Sequence, residues 1–172
     1  MSTTLLLLTA LWACGGSAET EAPETPVEET EVAKEEGEAD ATDERAKILA
    51  ALSQRKPEPR CQDVDKMSSN PVAIYSSIIE TETEPTFAPM RAATCMISHH
   101  PREAEVEALK WVVDPSKASL TTLVLARLDT MPLDSAKKIA EAALGGPHTE
   151  IAKTRIARLR TPELKALAAA SE

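Results

Sequence analysis

Three short stretches recur at a nearly fixed offset along this chain, and that recurrence restricts the fold more than any other feature. TCMISHHP (Thr94 to Pro101), LARLDTMP (Leu125 to Pro132) and IARLRTP (Ile156 to Pro162) share one plan. Four mostly apolar residues end a helix, two or three polar residues turn, and a proline begins the next helix. Ile97, Leu128 and Leu159 are 31 residues apart in turn, as are Thr94, Leu125 and Ile156. LAALSQRKP (Leu49 to Pro57) has the same form with a longer spacer after it. Proline suits a first helical turn, where its missing N–H has no intrahelical partner. Each period therefore holds two helices, a hairpin that cannot bury both faces alone and must stack on its neighbours.

The apolar spacing between the prolines is helical throughout. PLDSAKKIAEAALGG places Ala136, Ile139, Ala140, Ala143 and Leu144 on one stripe, closed by Gly145 and Gly146. SKASLTTLVLARLDTM does the same with Leu120, Leu123, Val124, Leu128 and Met131, and PREAEVEALKWVV with Val106, Leu109 and Val113. TDERAKILAAL reads as a helix opening with Thr42 as N-cap, and Pro71 starts another with Ser69 or Asn70 as cap. No run alternates with period two long enough to argue a strand. The expected fold is all-α, a short α-solenoid of three to four stacked hairpins over residues 44–172; a compact bundle of the same helices is the alternative.

This pattern resembles HEAT and armadillo-type helical repeats, and PMRAATCMI, with Pro89 and Arg91, is similar to part of a HEAT first helix. The period is shorter than the 40 or so residues of HEAT units, and the later copies lack the Pro-x-Arg pairing. The resemblance implies a protein-binding scaffold without a catalytic site.

Ahead of the helices, Leu5 to Ala13 is apolar apart from Thr9. That is far short of the roughly 20 residues of a membrane-spanning helix, but it suits the apolar core of an export signal. The stretch LWAC resembles the lipobox of bacterial lipoproteins, although MSTT lacks the usual positive charge and Trp12 is bulky for its place. The resemblance implies a signal peptide over residues 1–13, cleavage before Cys14, and acylation of Cys14. Two or more acyl chains, at about 0.8 kcal/mol per buried methylene, hold a protein firmly at a membrane. Gly15 after Cys14, rather than Asp, resembles lipoproteins sent to an outer membrane. The expected location is the cell envelope, anchored by lipid and facing the periplasm.

Residues 15–45 carry 12 acidic side chains against Lys34 and Arg45, whereas residues 46–172 come to about +1, with 17 basic and 16 acidic. The acidity thus belongs to a segment with Pro23, Pro26 and no apolar period. Such a composition cannot bury enough surface to offset its ordering entropy, and residues 14–43 are expected to be a disordered acidic tether.

With Cys14 assigned to lipid, Cys61 and Cys95 remain as an even pair, as an oxidising compartment favours. Either they form a disulfide, the preferred reading, or they stay as two buried thiols. Adding His99 and His100 gives a ligand count for zinc on paper, but adjacent histidines diverge and no CxxC occurs. Both histidines read as surface groups near a helix C-terminus, and no metal or other cofactor is expected. No phosphate loop, GxSxG or HExxH occurs, Ser98 beside His99 is mere adjacency, and Glu103, Glu105 and Glu107 read as solvated carboxylates, so no enzyme is expected. Arg127, Lys137, Lys138, Lys153, Arg155, Arg158 and Arg160 make a basic ridge in the later repeats, fit for an acidic partner or anionic surface. The expected function is a membrane-anchored adaptor that binds another envelope protein. The alternative is a structural lipoprotein, a subunit of an envelope complex or a cell-wall-linked spacer. Neither nucleic acid nor a small-molecule substrate is indicated.

Overall fold

In the computed structural model the described backbone covers residues 32–171, with side chains described from residue 42. Among the described residues there is no strand. The helices are α1 (Val32–Leu52), α2 (Cys61–Asp65), α3 (Pro71–Thr81), α4 (Phe87–His99), α5 (Pro101–Val113), α6 (Ala118–Leu125), α7 (Leu133–Leu144), α8 (Thr149–Ile156) and α9 (Pro162–Ala169). Short 3-10 turns follow α5 (Pro115–Lys117) and α6 (Leu128–Thr130).

Proline opens α3, α5 and α9, as the recurrence implies, and Asn70 caps α3 by accepting from the Ala73 N–H. Pro132 sits one place earlier, as the N-cap of α7. The 31-residue period thus becomes three consecutive helix pairs, α4–α5, α6–α7 and α8–α9. Helix α4 packs on α6 and α6 on α8, while α5 packs on α7 and α7 on α9. One apolar cluster runs from Ile48 in α1 to Ala168 in α9.

Two features differ from expectation. Helix α1 runs from Val32 rather than from the opening expected at Thr42. Its Glu, Ala and Lys content favours helix, and no proline falls between Pro26 and Pro57. The stripe expected on α5 is not the buried one. Val106 and Val113 are 59% and 55% exposed, while Ala104, Ala108, Trp111 and Val112 are buried. Both sets have helical spacing; the alanines let neighbouring helices close in, and the indole fills the space beside them. On α7 the expected stripe holds, with Ala136, Ile139, Ala140 and Ala143 buried. At the end of α7 a Cβ on Gly146 would lie 2.9 Å from the Ala142 carbonyl and 3.0 Å from that of Val112, so this position needs glycine for close approach.

Polar ties join neighbouring pairs at about one period. Glu105 of α5 accepts from Lys138 Nζ at 2.8 Å and from the Ser135 hydroxyl, both on α7, and so is not the solvated carboxylate expected. The Asp129 carboxylate accepts from the backbone N–H groups of Arg160 and Thr161 at 2.8 and 3.1 Å. His148 Nε2–H donates to the Asp114 carbonyl at 2.8 Å. No helix among the described residues is long and apolar enough to cross a membrane.

Candidate functional site

Helix α2 is five residues long, too short to hold its place by its own hydrogen bonds. It is fixed by Val64, which is fully buried, and by a disulfide from Cys61 to Cys95 in α4, with Cα atoms 5.1 Å apart. One turn beyond each cysteine lies a second cross-pair. Asp65 follows Cys61 by four residues and His99 follows Cys95 by four, so the disulfide sets Asp65 against His99.

Around Asp65 three side chains converge. Its Oδ2 accepts from His99 Nδ1–H at 2.7 Å, and its Oδ1 accepts from the Tyr75 hydroxyl at 2.6 Å. His100 Nε2 stands 3.3 Å from Oδ1 yet is buried without a hydrogen bond, off the bonding direction. Burial pushes the Asp65 carboxyl up, but the hydrogen bonds from Tyr75 and His99 and the adjoining His100 outweigh it. The net position is below the ordinary value of 3.8, so Asp65 is ionised at neutral pH. The Tyr75 phenol is pushed up by burial, then by its bond to Asp65 and the carboxylate charge, and keeps its proton as a donor.

The histidines are therefore not the surface groups expected. They belong to a half-buried polar cluster that completes the attachment of α2 to α3 and α4. With both cysteines joined, neither sulfur is a thiolate, and no group of three or more metal-ligating side chains forms among the described residues.

The cations expected to form one ridge divide between two sets of helices. Lys137 and Lys138 lie on α7, and Lys138 is engaged by Glu105. Lys153 and Arg155 lie on α8, with Lys153 4.0 Å from Glu150. Arg127 and Arg158 occupy matching places just past α6 and α8, and Arg160 is in the same turn as Arg158. Arg127, Arg155, Arg158 and Arg160 form no ion pair among the described residues.

Two grooves flank α6. Between α4 and α6 a cleft of about 500 Å3 has Phe87, Met90 and Leu120 among its walls, with Lys117 on the 3-10 turn beside it. Between α6 and α8 a second, of about 320 Å3, is lined by Thr122, Ile151, Thr154, Arg155 and Glu150. Ser119 in the first and Thr122 in the second are one helical turn apart on α6, so both grooves open on the same side of that helix. No single residue in either carries a recognisable motif; an aliphatic residue and a cation on consecutive helices of a repeat was the available signal. Cys14, the expected lipidation site, and residues 14–31 of the expected tether lie outside the described residues. No protein-family model, curated protein or solved structure matches this chain.

Proposed function

We propose that this protein is a lipid-anchored adaptor of a bacterial cell envelope. It is acylated at Cys14, stands off the membrane on an acidic segment, and presents its helical domain to another envelope protein. The observation that carries this reading is the cysteine usage. Of three cysteines, Cys61 and Cys95 are joined to each other, and Cys14 alone is left beside an apolar export-like run. A structural disulfide belongs to an oxidising compartment such as the periplasm, and Gly15 favours the outer membrane over the inner.

The helical domain is proposed to be a short open solenoid. Its support is that α4, α6 and α8 adjoin in sequence order, as do α5, α7 and α9. The ties between pairs, at the Glu105 and Asp129 carboxylates and from the His148 ring to the Asp114 carbonyl, span 30 to 34 residues, about one period. Neighbour-to-neighbour bonding of that kind is the mark of a quasi-one-dimensional stack, whose extended faces serve recognition. Arg127, Arg155 and Arg158, which form no ion pair among the described residues, leave charge available to a partner.

Photo-crosslinking in living cells tests the adaptor reading. A crosslinker at Arg158, with another at Val106 on α5 as a separate probe, is expected to capture one defined envelope protein from at least one position. Capture of wall polymer, or of a fixed set of complex subunits from both positions, would instead establish the structural-subunit alternative.

A further inference from the structure

We propose that the face shared by α4, α6 and α8 binds an extended acidic segment of the partner protein, with apolar residues three apart. The inference rests on the adaptor reading and names the chemistry of its partner. Each groove beside α6 sets at least one large apolar side chain beside one cation that forms no ion pair among the described residues. In the first, Phe87, Met90 and Leu120 share the lining with Lys117; in the second, Ile151 shares it with Arg155. Asp114, near Lys117, accepts from the Ser116 N–H and hydroxyl and shares its charge with Lys117, and Glu150 in the lining of the second groove is 90% exposed. The first groove has no carboxylate in its lining.

Spacing selects the shape of the ligand. Grooves on either side of one helix are separated by about one interhelical distance, roughly 10 Å. A polyproline II segment brings every third residue to the same side with a rise of about 3.1 Å each, so successive anchors are about 9 Å apart. A strand turns residues three apart to opposite faces and does not match. An aliphatic or proline anchor in each groove then places the intervening carboxylates at Lys117 and Arg155, where opposite charge orients the segment and excludes basic ones. Arg158, one turn beyond Arg155, extends the cationic side.

The test is fluorescence anisotropy on the whole chain with its disulfide intact. The probe is a dye-labelled peptide of about a dozen residues repeating Leu-Pro-Glu, a polyproline II former. The expected result is saturable binding that weakens about tenfold or more in Met90→Glu and in Lys117→Glu, and by a similar factor in Arg155→Glu. Lys138→Glu, on the other row of helices, is expected to leave it unchanged. Peptides repeating Leu-Pro-Lys or Ser-Pro-Glu are expected not to bind. Circular dichroism on each variant confirms the fold, and a Met90→Leu variant that binds like the parent separates groove chemistry from misfolding. Equal binding of the Glu and Lys peptides, no binding of the Glu peptide, or equal binding by the groove variants and the parent would overturn the assignment. So would vesicles of phosphatidylglycerol displacing the peptide at charge-equivalent concentration, since the ligand would then be a lipid surface. If the peptide fails while Arg158 still crosslinks to one envelope protein, the groove assignment falls and the adaptor reading stands.

Discussion

Reducing the Cys61–Cys95 disulfide is expected to lower the stability of the domain by about 3 kcal/mol, and by up to about 4. The bond closes a loop with a sequence separation of 34 residues, and its largest effect is on the unfolded chain, which gains the freedom of that loop when the bond opens. Within the folded domain the loss is local. Helix α2 then depends on the burial of Val64, on the Asp65 cluster and on the Ser68–Glu44 bond to α1 just past its end. Urea denaturation of oxidised protein and of the reduced, alkylated form measures the difference. Proteolysis is expected to cut first between Leu52 and Pro71 in the reduced form. Equal midpoints for the two forms would show that the bond contributes nothing to holding α2.

Asp65→Ala is expected to cost about 2–4 kcal/mol at neutral pH, because it strands donors rather than merely deleting a contact. The Tyr75 hydroxyl, on a fully buried side chain, loses its acceptor, and so does His99 Nδ1–H. Asp65→Ala combined with Tyr75→Phe is expected to recover part of the loss, since removing both partners leaves less unsatisfied than removing one. The pH dependence has a definite sign. The folded carboxyl titrates below its ordinary value of 3.8, so its contribution is complete above that pH and declines as pH falls through the lower folded value. The gap between parent and Asp65→Ala is therefore expected to narrow as pH falls below about 4. Chemical denaturation from pH 3 to pH 7 checks this, and a constant gap across that range would contradict it.

Much of the helical organisation was legible because proline and glycine mark boundaries locally. Pro101 and Pro162 open helices, Gly145 follows one, and the aliphatic ends recur at Ile97, Leu128 and Leu159, all of them buried. The buried face of α5 was misread because valine outweighs alanine on any hydropathy scale, whereas close helix approach favours Ala104 and Ala108. The backbone of α1 reaches back to Val32, beyond the opening expected at Thr42, through residues whose Glu and Ala content carries high helix propensity. The Asp65 cluster depends on contacts made across tens of residues, which local pattern does not encode. Its one trace in sequence is the shared separation of 34 for Cys61–Cys95 and Asp65–His99, informative only once the first pair is known to be bonded. The cations and their order along consecutive helices were visible in the sequence, but the engagement of Lys138 by Glu105 of α5 needed the packing of the pairs.

The mass of the protein purified from its native cells, without reduction, bears most directly on the proposed anchored-adaptor account. The expected species begins at Cys14, carries a diacylglyceryl group and a further acyl chain on that residue, and shows no free thiol. A chain that retains residues 1–13, or one that begins at Cys14 without acylation, would contradict it.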